Sequence, residues 1–127
     1  MGNIKMKHES EYETAYAEAE KAKGSLCPKL VTPGEQGYPD RLVLRGVGPM
    51  KEVFRTWVAY VMNSNHAITL DELDKVAETM LAAAIRFVEF KKDADSPFQP
   101  RQPRVISMLR ERGFRVDVYE GDRKVDN

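Results

Sequence analysis

The chain has 127 residues, in which 20 Lys or Arg balance 20 Asp or Glu, and it holds one cysteine. That length fits a single domain with a core of its own and leaves little room for a second. Cys27 alone excludes an intramolecular disulfide and a thiolate metal cluster. No apolar run reaches membrane-spanning length and Met1 to His8 carries no signal-peptide apolar core, so a cytoplasmic protein without membrane contact is expected.

The zero net charge conceals a segregation along the chain. Arg86 to Arg115 contains eight Lys or Arg against four Asp or Glu, whereas Gly48 to Ala84 contains three against five, and the tail after Arg115 is acidic. Nucleic acid therefore stays open as a partner, with phosphate-binding groups gathered in one part of the chain.

The first predicted element is a helix from Glu11 to Lys23, with Ser10 as N-cap, Gly24 as stop, and Tyr12, Tyr16 and Ala19 as its apolar stripe. Glu13 is placed to close a capping box with Ser10. His8 lies in a tail expected to fray. From Leu26 the chain becomes extended, with Cys27 as a small buried residue. Pro33-Gly34 and Gly37 then mark a tight loop that delivers Asp40 to the edge of the strand-like run Leu42-Val43-Leu44. Lys29 and Arg41 read equally well as phosphate contacts or as solvated charges.

Two helices follow. Pro49 opens the first, with Val53, Phe54, Trp57, Val58 and Val61 on one face, and Asn63-Ser64-Asn65 closes it. Thr69 and Glu72 form a capping box at the start of the second, whose stripe is Leu73, Val76, Ala77, Met80, Leu81 and Ala84. The two are expected to make a hairpin whose apolar faces either pack on each other or form a subunit interface. His66 in the connecting loop reads as a polar loop residue.

Ile85 to Phe90 is the next strand, and Glu89 and Lys91, two residues apart, point to one face of it. Asp40 and Glu89, each at the edge of a strand, with Lys91 beside them, have the layout of a metal-dependent phosphodiesterase. Two carboxylates can hold Mg²⁺ without enclosing it, and a lysine can orient water or offset charge at phosphorus. After a loop from Asp93 to Gln99, Pro103 starts a helix through Arg112 that Gly113 ends, with Val105, Ile106 and Leu109 inward. Arg101, Arg104 and that helix N-terminus form a candidate phosphate contact. Phe114, Val116 and Val118 alternate as a closing strand.

The string from Gly24 to Leu44 containing Gly-Tyr-Pro-Asp-Arg, the later Phe-Val-Glu-Phe-Lys-Lys (Phe87 to Lys92), and the segment Gln102 to Val116 together resemble the VRR-Nuc family. These are virus-type replication-repair nucleases of the PD-(D/E)xK, restriction-endonuclease-like superfamily. The resemblance covers about Glu13 to Tyr119 and is to stand-alone, phage-type members. It implies an α/β fold with a mixed central sheet flanked by helices, here one domain with a helical hairpin inserted at about 48–84 where the family has a short connection.

The resemblance further implies Mg²⁺, with Mn²⁺ as substitute, held by Asp40, Glu89, the backbone carbonyl of Phe90 and Glu13. That last role competes with the capping reading. Lys91 would serve the attacking water and Gln102 would orient water or substrate. Lys29, Arg41, Lys92, Arg101 and Arg104 are the candidate DNA contacts. The implied activity is that of a structure-selective DNA endonuclease, foremost a homodimeric four-way (Holliday) junction resolvase in a bacterial or phage-infected cell. The alternatives are a flap or nicking nuclease and an inactive DNA-binding or assembly module.

Overall fold

The computed structural model describes residues 9–31, 37–91 and 101–125. The expectations for His8, the Pro33-Gly34 loop, Lys92 and most of the loop before α4 fall outside those residues. The elements run α1 (Glu9–Ala22), β1 (Arg41–Leu44), α2 (Val47–Met62), α3 (Leu70–Ala84), β2 (Ile85–Lys91), α4 (Gln102–Glu111), β3 (Arg115–Glu120) and β4 (Arg123–Val125). The strands form one mixed sheet in the order β1, β2, β3, β4: β2 runs antiparallel to β1 and parallel to β3, and β4 is antiparallel to β3. The expected α/β architecture is thus present.

Alternation along the strands sorts side chains to two faces. Val43, Val88 and Phe90 join Ala17 and Cys27 beneath α1, with Tyr12, Tyr16 and Tyr119 packed against them. Phe90 stacks on Tyr119 at 5.5 Å between ring centroids, and Tyr16 meets Phe90 edge-on at the same distance. On the opposite face Val116 and Val118 pack with Ile106 of α4, flanked by Phe87, Leu109 and Val125. Val43, Val88 and Val118 have no exposed surface, and burying a side chain of this kind contributes about 1.5–3 kcal/mol.

Several local expectations are corrected. Helix α1 begins at Glu9, so Ser10 lies inside its first turn, where its carbonyl accepts from Thr14 Oγ1 at 2.8 Å. Ser10 is therefore not the N-cap and the Ser10–Glu13 box does not form. The buried stripe is Tyr12, Glu13, Tyr16, Ala17 and Glu20, whereas Ala19 faces outward, because the i, i+4, i+7 spacing from Glu13 follows the sheet. Gly24 does end the helix, at φ +94°, and Ser25 N closes back on Glu20 O at 3.0 Å. Helix α2 starts two residues before Pro49. Thr69 caps α3 by accepting from Glu72 N at 3.1 Å, but the Glu72 carboxylate turns to His66 Nε2 at 3.0 Å instead of completing the box. Helix α4 includes Gln102. Strand β4 was not anticipated.

Helices α2 and α3 pack on each other and stand largely apart from the sheet. Within the hairpin only Ala84 is buried, at the junction with β2.

Candidate active site

The register of β1 and β2 builds the site. Arg41 pairs with Val88, so the residues one step further out, Asp40 and Glu89, meet at the same sheet end. Asp40 N donates to Glu89 Oε1 at 3.1 Å, and Phe90 N donates to Asp40 Oδ2 at 2.9 Å. Each carboxylate is thus fixed by the other residue's strand. Gln102, buried in the first turn of α4, donates from Nε2 to Glu89 Oε2 at 2.6 Å. Lys91 follows Glu89 on the same strand face and is half-buried. Phe90 places its ring in the core on the other face, leaving only its backbone at this end.

Burial, at 5% residual exposure, and then the neighbouring Asp40 carboxylate push the Glu89 pKa up to about 8, against the opposing contributions of the Gln102 and Asp40 N hydrogen bonds. Two acids confined together in this way repel when both are ionised, and a hard divalent cation relieves that repulsion. The oxygen donor set therefore fits Mg²⁺.

Glu13 lies elsewhere in its contacts. It is buried on the α1 side, with Oε2 at 3.6 Å from Lys29 Nζ and 3.7 Å from Arg41 Nη2. Among the described residues no group of three or more His, Cys, Asp or Glu side chains is placed to hold a metal ion. Arg101 and Arg104 are exposed at the start of α4, consistent with an outward surface there.

Two contacts escaped the sequence reading. Gly37 (φ +99°) lets the Arg101 backbone approach so closely that a Cβ on residue 37 would lie 2.8 Å from Arg101 C and O, which ties the strand carrying Asp40 to the helix carrying Gln102. Lys21 shares a cavity of about 490 Å³ with Leu26, Cys27, Pro28, Lys29 and Arg41.

The mixed sheet between α1 and α4, with Asp40, Glu89 and Lys91 at one sheet end, has the architecture of the restriction-endonuclease-like fold class. No protein-family model and no curated protein sequence matches the chain. A solved structure described as a VRR_NUC domain is similar to it at 27% identity with a TM-score of 0.56, covering 90% of this chain and 85% of that one. The likeness bears out the resemblance read from the sequence, and the chain has the fold of a VRR_NUC domain.

Among the described residues no helix is long and apolar enough to cross a membrane.

Proposed function

We propose that this domain hydrolyses DNA phosphodiesters with Mg²⁺ and selects branched DNA, foremost the four-way junction. The observation that carries the reading is the interlock of Asp40 and Glu89 across the β1–β2 ladder with Lys91 on the same face as Glu89. Asp40, Glu89 and the Phe90 carbonyl would hold the metal, and Glu13, which stands against Lys29 and Arg41 on the α1 side, would add a further oxygen only after leaving those cations. Bound there, Mg²⁺ or Mn²⁺ lowers the pKa of water and offsets negative charge at phosphorus. Lys91 orients the attacking water and donates to the developing oxyanion. Gln102 holds the Glu89 carboxylate in place and so acts as a positioning residue.

The reading includes a homodimer assembled through the hairpin. One side of α2 and α3 forms an apolar groove of about 760 Å³ lined by Pro49, Val53, Trp57, Tyr60, Val76 and Ala83, with Glu52 on the α2 edge and Lys75 on the α3 edge. We place the second copy across this groove, related by a two-fold axis, with the opposite charges of Glu52 and Lys75 as the pair that would face each other between copies. Two sites related in this way address two strands of a junction.

The test is Mg²⁺-dependent cleavage of a labelled four-way junction beside linear duplex and single strand. Cleavage of the junction, its loss in Asp40→Ala and unchanged folding of that variant are expected. An Asp40→Ala protein free of contaminating nuclease that cuts at the wild-type rate overturns the assignment.

A further inference from the structure

Beside Asp40, on the α1 side of β1, three cations converge on one cavity. The segment from Leu26 runs antiparallel along the outer edge of β1, with bridges from Leu26 to Leu44 and from Lys29 to Arg41. Leu30 N donates to the carbonyl of Asp40 at 2.9 Å, so the position of this segment and that of Asp40 are fixed together. Lys21 from the last turn of α1, Lys29 from the segment and Arg41 from β1 line the cavity of about 490 Å³, whose remaining walls are Leu26, Cys27 and Pro28. That volume admits a sugar-phosphate unit.

Arg41 is held for this purpose. Its Nη1 donates to Cys27 O at 2.8 Å, its side chain is only 15% exposed, and its buried Nε has no hydrogen-bond partner. A guanidinium anchored at one corner is a fixed partner for an oxygen-rich anion. Among the described residues, the carboxylate within ion-pair distance of Lys29 and Arg41 is Glu13, 7% exposed, at 3.6 Å from Lys29 and 3.7 Å from Arg41. Both separations are longer than a hydrogen bond. Glu13 thus neutralises one charge of three by proximity alone and leaves an excess of positive charge.

We propose that Lys21, Lys29 and Arg41 form a cradle for a DNA backbone phosphate next to the cut, and that Glu13 occupies the cations until that phosphate displaces it. Lys21 is the member that nothing in the sequence pattern identified. The inference rests on the nuclease reading for its substrate class, yet it is a statement about binding without metal. Displacement frees the Glu13 carboxylate, so substrate arrival and the availability of that acid become one event.

The experiment measures binding of a short fluorescein-labelled DNA duplex by anisotropy in EDTA over a range of salt, with Mg²⁺-dependent cleavage recorded separately. Lys21→Ala and Lys29→Ala, both at exposed side chains, are expected to weaken binding severalfold and each to lower the salt slope by about 1. Lys51→Ala on the hairpin is the control and leaves both unchanged. Glu13→Gln is expected to tighten metal-free binding severalfold, because the competing charge is gone.

Wild-type affinity and slope in both lysine variants overturn the cradle, and unchanged metal-free affinity in Glu13→Gln overturns the displacement. A protein that binds with the expected pattern yet never cleaves sustains the cradle and refutes the hydrolysis reading. Failure to bind DNA at all refutes both.

Discussion

Gln102 Nε2 and Glu89 Oε2 stand 2.6 Å apart, joining the first turn of α4 to β2 on the face opposite α1. The bond fixes one oxygen of the Glu89 carboxylate while Asp40 N fixes the other. Removing a partner that orients a metal ligand commonly costs 10- to 100-fold in metal affinity or activity. Gln102→Ala is therefore expected to raise the Mg²⁺ concentration for half-maximal cleavage by about 10- to 100-fold with little change in thermal stability. A metal titration of cleavage rate checks this, and an unchanged midpoint would remove Gln102 from the site.

Glu89 also sets a pH dependence in the metal-free protein. Its pKa is raised from 4.5 to about 8 on folding, so the folded state binds the proton more tightly and stability falls as pH rises through that window. Melting in EDTA is expected to show that decline, Glu89→Gln to abolish it, and Mg²⁺ to stabilise most at the alkaline end. A pH-independent melting temperature in EDTA would contradict the buried pair.

Gly37→Ala tests the contact between the Asp40 loop and α4. Its Cβ would press on Arg101 backbone atoms at 2.8 Å, and φ +99° is strained for alanine. Strain of this kind costs about 1–3 kcal/mol. Because relief requires Arg101 and hence Gln102 to shift, the Mg²⁺ requirement of cleavage should rise together with the loss of stability. Denaturant unfolding and the metal titration measure the two effects.

The hairpin groove yields a charge-swap experiment. Glu52→Lys and Lys75→Glu should each move sedimentation toward monomer, and the double variant should restore the dimer, because Glu52 and Lys75 flank the same groove. Paired incision of a junction should follow the oligomeric state more closely than nicking does. A wild-type protein that sediments as a monomer at micromolar concentration, with or without DNA, sinks this interface and the resolvase reading.

Opposite Val88 on β3, Asp117, 3% exposed, receives Arg86 at 3.4 Å, Arg115 at 2.9 Å and Lys124 at 3.4 Å. Asp117→Ala strands the buried Arg86 guanidinium, and losing one partner of a buried pair costs about 3–5 kcal/mol. Chemical denaturation should show a loss of that order.

What could be read from the sequence was what is encoded locally. Glu89 and Lys91 share a face through the two-residue period of a strand, and the order of segments carried the resemblance that located Asp40 and Gln102. The contacts of Glu13 could not be read this way, since Lys29 and Arg41 reach it from other segments. The approach of Gly37 to Arg101 likewise joins distant parts of the chain. Strand β4 was hidden because Arg123-Lys124-Val125 is charged and short, as edge strands are; the Gly121-Asp122 turn before it was the one local cue.

Leu44 and Ile85 are the last pair of the β1–β2 ladder, and just beyond them the Ala84 carbonyl accepts from both Arg45 N, at 2.7 Å, and Gly46 N, at 3.2 Å. The chain thus leaves the sheet and returns to it at one point, already stitched shut. In topology, everything between is an enlarged β-turn. An arm attached in this manner can change in length or shape without altering how Asp40 meets Glu89. The chemistry and the geometry of DNA engagement can therefore diversify separately, with the same cutting end carried on different arms.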